Sequence, residues 1–160
     1  MSIITLLTPQ QISLLSTTAI QGLSPTDVEA LTTSQAAALT STQVNAMETT
    51  DLQALLATQV AALSTNVIRA LLTLQMDALT ETQVGALTVT QVGVMTASGI
   101  GALSSTELQN LTSSQLGAFT PSQLSGLTTT ALANFSTTQF DDPDARSDGD
   151  AAQCAVDRQY

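Results

Sequence analysis

Apolar residues recur with a period of eight along most of the chain. Leucine or a substitute occupies one position of every octad from Leu7 to Phe135, and a second apolar residue follows five residues later, from Ile12 to Phe140. The consensus is Leu-[Ser/Thr]-x-[Ser/Thr]-Gln-Val-x-Ala, and its register holds without insertion from residue 4 to residue 140. We call its first, second, fifth, sixth and eighth positions the Leu, cap, Gln, Val and Ala positions. Such strict self-similarity predicts a repeat architecture.

Two regular structures accommodate this period poorly. In a continuous α-helix, eight residues at about 100° each turn the helix by about 800°, so the Leu position drifts by about 80° per repeat and forms no stripe. An extended strand is possible because eight is even, but it would place Leu and Gln on one face and Val, Ala and Thr on the other. Alanine and glutamine are also weak strand formers.

A short helix that restarts in every octad fits the local signals better. Ser or Thr at the cap position is followed three residues later by Gln, Asp or Glu, which is the capping-box pattern of a helix N-terminus. Examples are Thr8/Gln11, Ser24/Asp27, Thr32/Gln35, Thr40/Gln43, Thr80/Gln83, Ser104/Glu107 and Thr120/Gln123. Pro9, Pro25 and Pro121 directly follow a cap residue, where proline suits the first helical position and disfavours helix in the residue before it.

These signals predict an all-α fold, an α-solenoid of about 17 short helices with one helix per octad. Helices of fewer than two turns are unstable alone and must stack on their neighbours. Separations by multiples of 16, such as that between Phe119 and Phe135, suggest that two octads form one coil. We expect residues 1–140 to form the solenoid and residues 141–160 an acidic, flexible tail.

Composition excludes several functions. The 160 residues carry 13 acids against three arginines, with no lysine or histidine and a net charge of −10, so nucleic acid is not expected as a partner. No stretch of 18 apolar residues occurs, so no membrane span is expected. We predict neither an enzyme nor a cofactor or metal site, because histidine and lysine are absent and the one cysteine, Cys154, lies in the tail. Asp27, Asp51 and Glu107 occupy the Gln position, where an acid serves as a helix cap.

The ends of the repeat suggest self-association. The chain begins MSIITLLTPQ, without the basic region of a Sec signal peptide and without a polar cap on the first repeat. An open apolar end on a uniform stack predicts head-to-tail contacts that do not close, hence a filament. The residues expected in this contact lie at both ends of the repeat: Ile3, Ile4, Leu6, Leu7, Leu132, Phe135 and Phe140.

Two families contain similar segments. Residues 7–12 (LTPQQI) and 119–124 (FTPSQL) resemble the first helix of the transcription-activator-like effector repeats of plant pathogens. That family has a longer, two-helix repeat and a basic surface, so DNA reading is not carried over. Residues 78–87 (ALTETQVGAL) resemble arrays in large bacterial secreted or surface proteins, and this similarity covers residues 4–140. It implies a bacterial, extracellular setting but no defined activity.

The sequence therefore favours a non-enzymatic structural protein that binds copies of itself in an extracellular filament or surface layer. The alternative is a monomeric binding or spacer module that presents a polar solenoid face to a protein or glycan. A third hypothesis is ice binding through regular threonines such as Thr80 and Thr82.

Overall fold

The computed structural model describes residues 3–127 and residue 129, and that part of the chain is helical without strands. A short 3₁₀-helix is followed by fifteen α-helices of four to six residues, one per octad. Their bounds are Ile3–Leu6 for the 3₁₀-helix, then α1 Pro9–Ser13, α2 Thr17–Gln21, α3 Pro25–Glu29, α4 Thr33–Ala37, α5 Ser41–Ala46, α6 Thr49–Ala54, α7 Ala57–Ala62, α8 Thr65–Ala70, α9 Thr73–Asp77, α10 Glu81–Gly85, α11 Val89–Val94, α12 Ala97–Ala102, α13 Ser105–Gln109, α14 Ser113–Gly117 and α15 Pro121–Leu124.

Each helix begins where the sequence places a cap residue. Thr32, for example, has extended backbone dihedrals (φ −72°, ψ 159°), and its side chain accepts a hydrogen bond from the Gln35 amide. All seven predicted capping boxes are present, and the three predicted prolines lie in the first turns of α1, α3 and α15. The short-helix prediction is confirmed. Glu48, Leu56 and Leu72, which lack the hydroxyl, make no side-chain cap.

Three helices, and not two, complete each turn of the solenoid. Helix α1 packs on α4, α2 on α5, α3 on α6, and the same spacing continues to α12 on α15. A residue therefore meets its counterpart 24 positions later, and the 16-residue coil suggested by the sequence is wrong. The Leu and cap positions lie outside the helices, and their extended backbone, as at Met47 and Glu48, sets the corner between consecutive helices.

The Leu and Val positions fill one continuous core. Val-position residues from Ile12 to Leu108 are at most 1 % exposed, and Leu-position residues from Leu31 to Leu111 are 2–6 % exposed. This all-α solenoid confirms the predicted fold class. The longest described helices have six residues, and none of them is long and apolar enough to cross a membrane.

Candidate functional site

Buried glutamines at the Gln position join successive three-helix turns of the solenoid, which we call coils. The Gln83 side chain uses both ends of its amide. Its Oε1 accepts the backbone N–H of Thr80, the cap of its own helix, at 2.9 Å. Its Nε2 donates to the carbonyl oxygens of Leu52 and Leu55 in the preceding coil, at 2.9 and 2.7 Å. We call this pair of inter-coil bonds a rung.

The same arrangement recurs through the described residues. Each glutamine accepts its own cap N–H and donates to a carbonyl 28 residues earlier, and most also donate to the carbonyl 31 residues earlier. Their side chains are 1–4 % exposed, so the rungs lie inside the stack. The eight are Gln35, Gln43, Gln59, Gln75, Gln83, Gln91, Gln115 and Gln123.

Four octads between α4 and α15 have no glutamine at this position. Val67 and Gly99 cannot form a hydrogen bond through their side chains, and an ionised Asp51 or Glu107 has no proton to donate. Glu107 still caps its helix, since Oε2 accepts the Ser104 N–H at 2.6 Å. These octads keep the fold without the rung.

The Asp51 carboxyl group is buried, and its pKa is raised. The Asp51 side chain is 4 % exposed. Burial raises the pKa of the Asp51 carboxyl, the nearby Glu48 carboxylate raises it further, and a hydrogen bond from the Glu48 backbone lowers it.

The stack has a direction, which its first coil reveals. We call residues 3–24 the N-terminal coil. There Leu7, Leu15 and Leu23 are half-buried, whereas the Val-position residues Ile12 and Ile20 are at most 1 % exposed. From Leu31 to Leu111 every Leu-position residue is buried. Each Leu position is therefore covered by the preceding coil, and each Val position by the following one.

Leu7, Leu15 and Leu23 form an apolar surface that we call the N-terminal face, together with two exposed leucines at the Ala position. Leu6 and Leu14 are 80 % and 77 % exposed. Gln11 is exposed as well, and its Oε1 accepts the Thr8 N–H. Its Nε2 has no hydrogen-bond partner among the described residues, since no described coil precedes it.

The structure places the predicted contact residues in different settings. Leu6 and Leu7 lie on the N-terminal face, and Ile4 is buried in the core. Ile3 lies in the 3₁₀-helix. Leu132, Phe135, Phe140 and the predicted tail, residues 141–160, lie outside the described residues.

Sequence reasoning did not include Leu14, Leu15 and Leu23 in the contact, although the octad register carries the signal for the last two. It also assigned the glutamines to capping alone. The preference for Gln over Glu at most octads was the available sign that a donor is needed as well as an acceptor.

Comparison with known families agrees with this geometry. The ALTTAQ repeat model matches residues 44–81 and, overlapping them, residues 58–89. Residues 44–89 are therefore similar to an array of ALTTAQ repeats. The comparison with curated proteins and the comparison with solved structures found no match.

The ALTTAQ segment spans α6 to α10, together with parts of α5 and α11, and includes Gln59, Gln75 and Gln83. In this segment the glutamine of the motif is a structural group, buried and bonded at both ends of its amide. Within the described residues, no three acidic or cysteine side chains come together as a group able to hold a metal ion. What this arrangement supports chemically is the association of one coil of the solenoid with the next.

Proposed function

We propose that this chain is a non-enzymatic structural protein that binds copies of itself head-to-tail, in an extracellular filament or surface layer. The observation that carries the proposal is the direction of the stack. One end of each coil offers Leu positions and the other offers Val positions, so two coils associate by unlike faces. Unlike faces that do not close into a ring generate an open polymer.

The N-terminal face presents the same residue positions that the interior coils bury. Leu7, Leu15 and Leu23 occupy the positions that the preceding coil covers everywhere else from Leu31 to Leu111. Burying apolar side chains of this size stabilises an association by about 1.5–3 kcal/mol per fully buried residue before its entropic cost. Inside the stack these positions are covered by the preceding coil, so a second copy that presents such a coil surface has the matching chemistry.

The hydrogen bonds between coils also run in one direction along the stack. Glutamine side chains donate toward the preceding coil, and backbone carbonyls accept from the following coil. Gln11 on the N-terminal face carries the donor of a rung, and a second copy would supply the acceptors. The occupant favoured by both patterns is a second copy of this chain that presents Val-position side chains and backbone carbonyls.

The extracellular setting rests on the resemblance of the repeat to arrays in large bacterial secreted or surface proteins. The low content of charged residues, 10 %, and the lack of histidine and lysine support a structural over a catalytic role.

A matched pair of substitutions tests the proposal. Leu14 lies on the N-terminal face and Leu74 on the side of α9, and they are nearly equally exposed, at 77 % and 75 %. We expect the unmodified chain to form linear particles in negative-stain images and fast-sedimenting species at micromolar concentration. Leu14→Glu should abolish them, and Leu74→Glu should leave them unchanged. Monomers only, or equal effects of the two variants, would contradict head-to-tail binding.

One observation favours the second candidate, a spacer or binding module. A row of hydroxyl side chains is exposed along the side of the solenoid formed by α4, α7, α10 and α13: Ser34, Thr58, Thr82 and Thr106. Such a row would present a polar face to a protein or glycan. A chain that remains monomeric at every concentration would support this function instead.

A further inference from the structure

Glutamine side chains join the N-terminal coil to the following coil at two of its three corners. Gln35 donates to the carbonyls of Ile4 and Leu7 at the first corner, at 2.9 and 2.6 Å. Gln43 donates to Ile12 and Leu15 at the second corner, both at 2.8 Å. The same spacing of 31 and 28 residues assigns Asp51 to the third corner, that of Ile20 and Leu23.

Asp51 brings a carboxyl group to a position where its two counterparts bring an amide donor. When ionised it offers no proton, and it leaves a negative charge on a buried side chain.

No cation on the surrounding helices offsets this charge. The cap of its own helix is Glu48, and the helices stacked on α6 carry Asp27 and Glu29 in α3 and Asp77 in α9. Helices α2, α5 and α7 carry no charged residue. The nearby charge that opposes the ionisation of Asp51 is the Glu48 carboxylate, and these helices bring no cation to offset it.

We propose that Asp51 forms an acid-responsive rung. This rung joins the N-terminal coil to the following coil when the Asp51 carboxyl group takes up a proton. The proton comes from solvent and binds one carboxyl oxygen, while the other oxygen keeps the hydrogen bond from the Glu48 backbone. The new O–H faces the third corner, and the buried charge disappears.

The consequence for assembly rests on the proposed function. The N-terminal coil carries Leu7, Leu15 and Leu23, so a rung that orders this coil also orders the face that binds a second copy. Mild acid should therefore strengthen head-to-tail association.

The direction of the pH effect follows from linkage. The pKa of Asp51 is raised in the folded chain, so the folded state holds the proton more tightly than the unfolded state. Stability at this site is therefore gained as the pH falls through the raised pKa, and the gain is complete below the ordinary value of 3.8.

Thermal unfolding of the full chain from about pH 7.5 to about pH 3 tests the rung, with Asp51→Asn and Asp51→Gln as the charge-free variants. We expect both to melt roughly 2–4 °C above the unmodified chain at the upper pH, and the difference to vanish at the lower pH. Glu81→Gln is the control, because it removes one negative charge at an exposed position of α10, and its melting difference should not depend on pH in the same way. A difference between Asp51→Asn and the unmodified chain that is the same at both ends of the range would overturn the proposal.

Hydrogen exchange shows where the effect lies. After correction for intrinsic rates, lowering the pH should raise protection in residues 8–24 of the unmodified chain more than in residues 73–94. In Asp51→Gln the two segments should respond alike. A uniform response in the unmodified chain would overturn the assignment to the N-terminal coil.

Sedimentation of the same samples separates this inference from the proposed function. Association that is stronger at low pH in the unmodified chain, but pH-independent in Asp51→Gln, supports both. Association with no pH dependence in the unmodified chain overturns the regulatory link while head-to-tail binding stands. Monomers throughout, with the melting difference present, contradict the proposed function and leave the acid-responsive rung supported.

Discussion

Two adjacent regions of the solenoid share a core but differ in their rungs. We call α9, α10 and α11 the laddered region, because Gln75, Gln83 and Gln91 make three consecutive rungs. We call α12 and α13 the interrupted region, because Gly99 and Glu107 stand at the Gln position there. The Val-position residues of both regions are at most 1 % exposed. Apolar stacking alone therefore suffices to place a helix, and the rungs add to it.

The interrupted region compensates for its lost rungs in part. A β-carbon at Gly99 would lie 3.5 Å from Cε of Met76, so the long methionine of the preceding coil fills space left by the missing glutamine. Between α10 and α13 the compensation is weaker, because a groove lined by Glu81, Thr82, Gly85 and Asn110 opens there. We expect this region to exchange its amide hydrogens earlier than the laddered region.

Truncation in the core should have the largest effect, and it should be the same in both regions. Leu87→Ala, between α10 and α11 of the laddered region, and Leu103→Ala, between α12 and α13 of the interrupted region, remove Leu-position side chains that are 3 % and 6 % exposed. We expect each to cost about 3 kcal/mol in the free energy of unfolding, measured by urea denaturation followed by circular dichroism. Costs that differ by more than about 1 kcal/mol would contradict the claim that the regions share one kind of core.

Removal of a rung should have the next largest effect. Gln83→Leu keeps the volume but leaves the Thr80 N–H and the Leu52 and Leu55 carbonyls without this partner. We expect a loss of about 2 kcal/mol. Gln11→Leu is the matched control, because Gln11 caps its helix but makes no rung, and it should cost about 1 kcal/mol or less. Equal losses would mean that the rung itself contributes nothing.

Restoring a rung should stabilise the interrupted region. Glu107→Gln changes one atom, keeps the acceptor for the Ser104 N–H, and supplies a donor toward the Met76 and Leu79 carbonyls. We expect a gain of about 1 kcal/mol near neutral pH. Glu29→Gln, an exposed change of the same charge, should shift stability by about 0.5 kcal/mol at most. A gain in the control that matches the gain at Glu107 would assign the effect to net charge.

Filling the glycine should have the smallest effect. Gly99→Ala improves helix propensity and places its methyl group in ordinary contact with Met76, but only 3.1 Å from Oγ1 of the cap residue Thr96, so we expect a gain of about 0.5 kcal/mol at most. At Gly126 the added carbon would lie 2.8 Å from the Ala97 carbonyl oxygen and from its β-carbon, so Gly126→Ala should destabilise. Thermal melts of the two variants should therefore move in opposite directions, and a destabilising Gly99→Ala would count against the packing described here.

Local chemistry made the helices predictable, but not their stacking. The caps at Thr32 and Thr80 and the prolines Pro25 and Pro121 act within a few residues, so the start of each helix was predicted correctly. The number of helices per turn depends on the angle at each corner, and the spacing of Phe119 and Phe135 carries no information on that angle.

The rungs and their replacements could not be predicted for the same reason. Gln83 meets Leu52 and Leu55, and Met76 meets Gly99, only once the 24-residue turn is known. Leu6 and Leu7, two of the residues predicted to form a contact, lie on the N-terminal face, and their part in a contact stays a prediction. The other predicted end, at Leu132, Phe135 and Phe140, lies outside the described residues.

The measurement that tests the three-helix turn most directly is a disulfide between coils. An added β-carbon at Gly93 lies 3.9 Å from the β-carbon of Ala118, within the range that a disulfide requires, about 3.5–4.5 Å. In a Cys154→Ser background and at low concentration, the pair Gly93→Cys with Ala118→Cys should oxidise quantitatively to an intramolecular bond, detected by mass spectrometry. The pair Gly93→Cys with Asn110→Cys, at the equivalent spacing of a two-octad coil, should stay reduced. Cross-linking of the second pair and not the first would contradict the solenoid described here.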